Sequence, residues 1–429
     1  MLSAFKEHIN SRFPYLKKST VLIACSGGLD SMTLVHLLTN TGIDFHLAHC
    51  NFGLRGAESD NDEAFVRKSA EKLNRKLFVK KFELNQHEGS IQLAARNLRY
   101  DWFKELLNEH KFDYILTAHH ADDSLETFLI NLSRGTGIEG LTGIPEENRS
   151  TLRPLLPFSR AQILAYAKDN NILWREDSSN SETKYVRNKI RHKIVPELKE
   201  LHPTFLNNFS ATQKHLEQTN SWVQSQIIYI KQKLFIKEHN NFKINIKKLE
   251  KIYLLDVTLY LLFKAYGFTN IKDLRLLLSA ESGKELHSKT HRLVKDREHL
   301  LLAENRSESQ EVYELAEEGI HTPLKLVVKD VAAMEDYSKN TIYVDKETLN
   351  YPLVIRKREN GDYFYPLGMN GKKKLSKYFK DEKIDILSKE KQWLLCSDSQ
   401  IVWVIGRRAD DRFKVTQKTK QLVKITWYE

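Results

Sequence analysis

The sequence has few of the residues that mark secreted, zinc-binding or membrane proteins. Its 429 residues include three cysteines, Cys25, Cys50 and Cys396, and no Cys-x-x-Cys pair. This argues against a disulfide framework, a zinc finger and a cysteine-held cluster. No apolar run approaches the roughly 18 residues that a membrane helix needs, and charged residues in the first twelve argue against a signal peptide. We therefore expect a cytoplasmic protein without a membrane partner.

A second absence concerns nucleotide binding. Residues 26–31 read Ser-Gly-Gly-Leu-Asp-Ser, between an apolar run of strand length and apolar residues at helical spacing. This pattern predicts a strand, a tight loop and a helix, which together form a backbone cradle for phosphate. No Gly-Lys-Ser/Thr follows, so the lysine with which a Walker A loop grips the terminal phosphates is missing. The structural alternative is a turn of small residues that binds nothing.

We expect the whole loop to bind nucleotide, through glycines that let the phosphates approach, through hydroxyl groups and through one carboxylate. Asp30 can also hold a metal ion beside the phosphates. The predicted nucleotide-binding residues are Ser26, Gly27, Gly28, Leu29, Asp30 and Ser31.

The composition points to a multidomain protein with an anionic partner. A chain of this length exceeds the size of a single hydrophobic core, so two or three domains are expected. The net charge of +11 favours nucleic acid as the partner, although a lysine-rich chain can simply carry a solvated basic surface.

Strands and helices alternate over the first 120 or so residues. Four apolar segments are predicted strands: 21–25, 45–50, 77–82 and 114–118. Helices are predicted over 58–73 and, after Ser90 as N-cap, up to residue 107. This alternation predicts an α/β fold, with a Rossmann-like parallel sheet covered by helices on both faces. Ligands of such sheets bind at the carboxyl ends of the strands.

An acidic segment follows the fourth strand at that edge. On a helix, His119 and Asp123 would lie four residues apart, and Asp122 and Glu126 likewise, so these groups would cluster. Such a cluster suits a divalent cation, an ammonium group or both, whereas acids that only complement the helix dipole are the structural alternative. The spacing is not His-Glu-x-x-His, which makes a zinc hydrolase unlikely. His119 is a candidate general base.

Two later segments have less specific signals. The glycine-rich stretch 133–143 is predicted to be a flexible loop, either a plain connector or a segment with a gating or nucleotide-contacting role. Residues 185–193 are predicted to form a basic helix with Arg187 and Arg191 one turn apart. This pair would brace a polyphosphate or an RNA backbone, or would be a solvated basic face.

Taken together, these motifs resemble those of the tRNA(Ile)-lysidine synthases, which are PP-loop ATP pyrophosphatases. The matching segments, in the first 200 or so residues, are 26–31, 49–55, 95–100, 119–127, 177–180 and 187–191. The resemblance implies a sheet of the adenine-nucleotide alpha-hydrolase type. It also implies ATP and Mg²⁺ as cofactors, and free L-lysine and an isoleucine tRNA with a CAU anticodon as substrates. The chain is expected to be a monomer or a homodimer.

The resemblance also implies roles for individual residues. Asp123 and Glu126 would recognise the amino groups of lysine. From their chemistry, Asp30 and Asp123 are the predicted Mg²⁺ ligands, and Arg187 is a predicted catalytic residue. The residues expected to contact tRNA or lysine through basic side chains are Arg55, Arg96, Arg99, Arg191, Lys372, Lys373, Lys374 and Lys377. Arg96 and Arg99 have an alternative, which is pairing with acids on their own helix.

The predicted domains are a catalytic PP-loop domain (1–212), a mainly helical middle domain (213–305) and a smaller α+β C-terminal domain (306–429, with its core from about 351). In the last of these, the run 371–380 joins lysines to aromatic residues, which favours an RNA-backbone contact over a solubility feature.

Two other functions remain possible at this stage. A PP-loop tRNA thiolase would normally carry sulfur on cysteines, and Cys25 and Cys50 are not suitably paired for that. A non-catalytic RNA-binding protein would need neither Asp30 nor the acids after His119.

Overall fold

The computed structural model describes residues 1–82, 91–176, 186–305, 312–316, 319–335, 338–369 and 371–428. The chain divides into two compact units, residues 1–224 and the residues from 225 onward. The predicted cap at Ser90 and the motif 177–180 lie outside the described residues. The three-domain boundaries stay a prediction. Within the described ranges, no helix combines the length and the apolarity that crossing a membrane requires.

The first unit is built on a six-stranded sheet with strand order β3-β2-β1-β4-β6-β5. Its strands are β1 (Val21–Ala24), β2 (Phe45–Asn51), β3 (Leu77–Lys81), β4 (Tyr114–Leu116), β5 (Glu147–Asn148) and β6 (Thr151–Leu152). All neighbours run parallel except β5, which is antiparallel to β6. The prediction of a parallel sheet is confirmed for the four predicted strands, β1 to β4. Strands β5 and β6 were not predicted, because two residues each leave no periodicity in the sequence.

The helices of the first unit connect and cover these strands. They are α1 (Leu2–Arg12), α2 (Leu29–Thr39), α3 (Ala57–Lys72), α4 (Ile91–His110), α5 (Ala121–Ser133), α6 (Ile138–Leu141), α7 (Arg160–Asp169), α8 (Val186–Lys189) and α9 (Val195–Glu200). Between α8 and α9 lies a π-helical turn, Ile190–Ile194, inside the segment predicted as one basic helix. Short α6 lies within the stretch predicted as a flexible loop, where Asn131 donates a hydrogen bond to the carbonyl of Gly140 (2.8 Å).

Strand β1 shows how both faces of the sheet are covered. Val21 and Ile23 belong to a hydrophobic cluster with side chains of α1, α2 and α7, whereas Leu22 packs in a second cluster with Trp102 and Phe103 of α4. All three β1 residues are fully buried. An apolar run without polar alternation is typical of a parallel strand between two helical layers. The predicted covering of both faces is therefore confirmed.

The second unit begins with helices and an antiparallel sheet. The long helix α10 (Phe205–Leu234) leads into it and is followed by α11 (Ile246–Glu250), α12 (Leu255–Phe263) and α13 (Ile271–Ser279). The sheet has order β7-β8-β11-β10-β9 and comprises β7 (Phe235–Glu238), β8 (Asn241–Asn245), β9 (Glu285–His287), β10 (His291–Asp296) and β11 (His299–Glu304). This region was expected to be mainly helical. Strands β7 and β8 contain lysine and asparagine, which have low β propensity, and β8 pairs with β11, which is distant in the sequence. Sequence patterns therefore did not predict these two strands.

The C-terminal region combines small antiparallel sheets with two short helices. Its elements are β12 (Tyr313–Leu315), β13 (Gly319–Ile320), β14 (Lys325–Val331), β15 (Thr341–Asp345), β16 (Leu353–Lys357), β17 (Tyr363–Phe364), β18 (Lys373–Lys374), α14 (Leu375–Asp381), α15 (Ile386–Lys391), β19 (Trp393–Ser397), β20 (Gln400–Val404) and β21 (Leu422–Tyr428). The sheet orders are β12-β16-β19-β20, β13-β14-β21-β15 and β17-β18. Helices beside antiparallel sheets agree with the α+β prediction.

Candidate active site

The loop between β1 and α2 has the predicted cradle geometry. Gly27 adopts φ +86°, a backbone conformation that favours glycine, and a Cβ built on it would lie 3.2 Å from Cγ2 of Val66, which is a tight contact. Gly28 is the N-cap of α2. The Ser31 hydroxyl donates to the Gly28 carbonyl (3.0 Å) and lies 3.2 Å from the Ser26 hydroxyl. The loop is thus fixed by its own polar groups.

A cavity of about 690 Å³ opens at this loop. It is lined by Ser26, Gly28, Leu29, Asp30 and Ser31, which are five of the six predicted nucleotide-binding residues. The sixth, Gly27, shapes the turn. Residues that follow β4, including His119, and residues of α4, including Tyr100, complete the wall. The cavity therefore lies where the β-strands end, as the topology predicts.

Asp30 has a carboxylate oxygen that could coordinate a cation. Its Oδ1 atom is buried and has no hydrogen-bond partner in the described part of the chain. Burial raises the pKa of Asp30, against the opposing charges of His120 and Arg160. A buried carboxylate oxygen without a donor suits Mg²⁺, which takes oxygen ligands and keeps several waters. No group of three or more metal-binding side chains occurs among the described residues, so phosphate oxygens and water would supply the other ligands.

His120, which the sequence analysis did not select, links Asp30 to helix α5. Its ring Nδ1 accepts a hydrogen bond from the backbone N–H of Asp123 (3.3 Å), and the backbone N–H of His120 donates to Asp123 Oδ2 (3.1 Å). Together these two bonds form a capping box at the start of α5. The acceptor role of Nδ1 assigns the proton to Nε2. Nε2 lies 3.5 Å from Asp123 Oδ2 and 3.7 Å from Asp30 Oδ2. His120 thus lies between the two carboxylates.

His119 precedes α5 and does not belong to its first turn, so the predicted helical spacing from Asp123 is wrong. The chain turns at the N-cap His120, which sequence spacing alone could not locate. Nδ1 of His119 is 2.9 Å from the Thr117 hydroxyl, and the ring lines the cavity. Burial lowers the pKa of His119 to about 4, so the ring is neutral near pH 7.

We expect His119 to make the protein less stable as the pH falls. Its folded pKa of about 4 lies below the value of 6.5 for an unperturbed histidine. Between these values the unfolded chain binds more protons, so the free energy of unfolding falls as the pH drops from about 6.5 toward 4 and does not depend on this group above that range. Urea unfolding at about pH 7.5 and about pH 5 should show a smaller acid-induced loss in His119→Gln than in the wild type.

The control for this measurement is His215→Gln, because His215 is an exposed histidine on α10. It should show the wild-type loss of stability. Equal losses in His119→Gln and the wild type would contradict the assignment of a neutral, buried His119.

Asp123 and Glu126 form ion pairs with both arginines of the basic segment. Nε of Arg187 lies 2.8 Å from Glu126 Oε2, and Nε of Arg191 lies 2.6 Å from Glu126 Oε1. Both guanidinium groups also reach Asp123 Oδ1, at 3.1 Å and 3.2 Å. The alternative of a solvated basic face is therefore wrong for these two arginines, which are engaged by carboxylates.

These contacts bear on the predicted roles of Asp123. Its Oδ1 accepts from two guanidinium groups and its Oδ2 from the backbone N–H of His120, so both oxygens already accept hydrogen bonds, whereas Oδ1 of Asp30 accepts none among the described residues. The predicted metal role therefore fits Asp30 better than Asp123. A third carboxylate of α5, Asp122, is engaged in the same way by the ammonium group of Lys199 and the N–H of Arg160.

The other predicted arginines divide into two groups. Arg55 pairs with Asp62 of α3 (2.8 Å) and does not line the cavity. Arg96 and Arg99 line it, and their guanidinium groups lie 5.0 Å from the Tyr100 ring and 5.4 Å from the Phe52 ring. The described residues offer neither of them a carboxylate partner, so the alternative of pairing with acids on their own helix is not observed.

Several cavity residues were not predicted from the sequence. Arg175 donates its N–H to the carbonyl of Gly27 (3.0 Å) and its Nε to Asp62 (2.5 Å), which ties a distant segment to the phosphate loop. Arg160 follows the helix cap Ser159. Ser159 is the N-cap of α7, and only the three-dimensional structure shows that the side chain next to this cap lines the cavity.

The predicted C-terminal lysines lie on the β17–β18 hairpin and α14. Phe364 pairs with Lys373, whose ammonium group binds Asp381 of α14 (2.8 Å). The ammonium group of Lys372 is 3.4 Å from the centroid of the Tyr363 ring. Lys372, Lys374 and Lys377 are exposed, so three of the four cations face solvent.

The phosphate loop, the sheet and the cavity define an ATP-binding enzyme of the PP-loop class, and a family model described as "PP-loop domain" matches residues 1–198. The chain is 38% identical to the tRNA(Ile)-lysidine synthase of Parabacteroides distasonis, over 94% of each chain. It is 37% identical to that of Bacteroides thetaiotaomicron, over 97% of this chain and 96% of the relative. The chain belongs to the tRNA(Ile)-lysidine synthase family, as its motifs predicted. The models "TilS substrate binding domain" and "TilS substrate C-terminal domain" match residues 237–305 and 353–427.

Proposed function

We propose that this protein joins free L-lysine to C2 of the wobble cytidine of an isoleucine tRNA with a CAU anticodon, converting ATP to AMP and pyrophosphate. One observation carries the proposal beyond the family name. The phosphate loop with Asp30, whose buried Oδ1 has no hydrogen-bond partner among the described residues, and Asp123 at the start of α5 line a single cavity. Such a cavity can hold a nucleotide together with a cationic amine. The change would convert a tRNA that reads AUG into one that reads AUA.

The chemistry requires activation of the cytidine, because its C2 oxygen is a poor leaving group. Transfer of AMP to that oxygen creates a good one. The N–H groups at the start of α2 would hold the phosphates in the loop, and Asp30 would hold Mg²⁺ beside them through Oδ1. When bound, Mg²⁺ neutralises charge on the departing pyrophosphate.

The lysine amine must be neutral when it attacks C2. His119 is the proposed base because it lies in the cavity wall. Burial lowers its pKa to about 4, which keeps the ring neutral near pH 7 but makes it a weak base, so the role rests on its position. Asp123 and Glu126 would attract the ammonium groups of lysine, which then compete with Arg187 and Arg191 for the same carboxylates. Lysine binding and the position of these arginines are thus coupled in the proposed mechanism.

The structure gives no support to sulfur transfer. Burial raises the pKa of Cys25 to about 11 and that of Cys50 to about 12, so neither is a thiolate near neutral pH. A non-catalytic RNA-binding protein, for its part, would gain nothing from the buried, unpartnered oxygen of Asp30, because such a group is costly to keep.

The direct test uses purified protein, ATP, Mg²⁺, radiolabelled lysine and an unmodified isoleucine tRNA with a CAU anticodon. Label should enter the RNA only when ATP is present and should survive mild alkali. The same tRNA with uridine at the wobble position is the control and should take up none. If AMP forms but no label enters the RNA, the protein cleaves ATP but does not join lysine to this tRNA, and the proposed lysine transfer is overturned.

The exposed C-terminal lysines should contribute to tRNA affinity in a salt-dependent way. We expect the triple variant Lys372→Ala, Lys374→Ala and Lys377→Ala to bind tRNA more weakly. The slope of log K against log salt should flatten by up to about three, one for each lost phosphate contact. Filter binding at several salt concentrations measures both effects.

A matched triple, Lys6→Ala, Lys17→Ala and Lys18→Ala, removes the same charge from exposed positions near the N-terminus. If both triples change the slope equally, the C-terminal lysines act only through net charge.

A further inference from the structure

Six arginine side chains of the described residues line the phosphate cavity, but they are not equally available to a ligand. The six are Arg96, Arg99, Arg160, Arg175, Arg187 and Arg191. Arg175 is paired with Asp62, and Arg187 and Arg191 are paired with Asp123 and Glu126. Arg96, Arg99 and Arg160 have no carboxylate partner among the described residues. Of these three, only Arg160 lies outside α4.

The backbone of Arg160 is held firmly against the acidic helix. Its N–H donates to Asp122 Oδ2 (2.9 Å), and the N–H of Ala121 donates to the carbonyl of Phe158 (2.9 Å). Ser159 caps α7 by accepting the N–H of Gln162 (3.2 Å). The first turns of α5 and α7 are therefore joined, while the Arg160 side chain itself is exposed and lines the cavity.

Arg160 shares the cavity wall with the phosphate loop. Ser26, Gly28, Asp30 and Ser31 line the same cavity, so a phosphate bound at the loop would lie in the cavity that the Arg160 side chain lines. In the sequence, the phosphate loop lacks the lysine that grips terminal phosphates in a Walker A loop.

We propose that Arg160 supplies this missing cation and binds the terminal phosphates of ATP, which leave as pyrophosphate. The inference rests on the proposed use of ATP by this cavity. A guanidinium group suits this task because its fork of donors matches two phosphate oxygens at once. In the transfer step, the cytidine C2 oxygen forms a bond to the α-phosphorus. The bond from the α-phosphorus to the bridging oxygen breaks, and its electron pair stays on pyrophosphate, where Arg160 binds the added charge.

The inference predicts that loss of Arg160 weakens the binding of ligands that contain the terminal phosphates but not the binding of AMP, which lacks them. We expect Arg160→Ala to bind ATP and inorganic pyrophosphate about 10- to 100-fold more weakly, the range for loss of hydrogen bonds between charged groups. AMP affinity should be unchanged, which also shows that the variant is folded. Arg160→Lys, which keeps the charge, should lose less. Calorimetry with Mg²⁺ and each ligand measures all three affinities.

Lys168→Ala is the matched control, because Lys168 is an exposed cation at the other end of α7 and does not line the cavity. It should bind all three ligands like the wild type. If Arg160→Ala keeps wild-type affinity for ATP and pyrophosphate, or loses AMP affinity to the same extent, the role of Arg160 is overturned while lysine transfer by the wild type still stands. If the wild type binds no ATP, both the inference and the proposed function fail.

Discussion

Asp30→Asn should reduce AMP formation by about 10²- to 10³-fold, the effect typical of losing one electrostatic contact to the transition state. The substitution keeps the size of the side chain but removes the charge that would hold Mg²⁺ beside the phosphates. The Oδ1 atom of Asp30 is buried and accepts no hydrogen bond within the described chain, so replacing this oxygen breaks none. Release of AMP in the presence of tRNA measures the rate, and filter binding measures tRNA affinity, which should stay unchanged.

Asp101→Asn provides the control for this experiment. Asp101 is a carboxylate on α4 with a side chain 64% exposed, and it should behave like the wild type. An Asp30→Asn variant that forms AMP normally but no longer binds tRNA would rule out the metal role.

Glu126→Gln should lower the free energy of unfolding by about 3 kcal/mol, the low end of the range for breaking a buried ion pair. The Glu126 side chain is only 2% exposed and accepts from both Arg187 and Arg191. Without its charge, two guanidinium groups share the single carboxylate of Asp123. The low end applies because Arg187 and Arg191 remain 41% and 22% exposed, and water screens part of the interaction. Urea unfolding measures the change.

A double-mutant cycle with Arg191→Met tests whether pairing is the cause. The two changes together should cost less than the sum of the single changes, since each removes the same interaction. Glu197→Gln, an exposed acid on α9, should change stability by less than about 0.5 kcal/mol. If Glu126→Gln costs no more than this control, the ion pairs contribute little to folding.

The phosphate loop and the parallel sheet could be predicted because both leave local signals. The apolar run of β1, the glycines after it and the helical spacing of α2 lie within some twenty residues, and each follows from backbone geometry. Partners that are distant in sequence could not be predicted. Arg187 and Arg191 were identified as a pair of cations, yet their contacts with Asp123 and Glu126 span more than sixty residues. Phosphate and RNA would attract these two guanidinium groups as carboxylates do. The residue types alone therefore could not show which of these partners the arginines contact.

The same limit applies to His120 and His119. Adjacent histidines have equal chemistry in the sequence, and the boundary of α5 decides that one caps the helix and the other faces the cavity.

The π-helical turn Ile190–Ile194 sets the angular phase of the basic segment. Arg187, before this turn, and Arg191, within it, contact Asp123 and Glu126, and Lys199, after it, contacts Asp122. Each residue of an α-helix advances the side-chain direction by about 100°. A π turn holds one residue more than an α turn, so it offsets α9 by roughly that angle from the direction that an unbroken α-helix of the same length would give it. Deleting one residue there and closing the turn as α-helix would keep the direction of Lys199, whereas closing the turn as α-helix without a deletion would aim Lys199 away from Asp122. This segment is therefore constrained by rotation rather than by length.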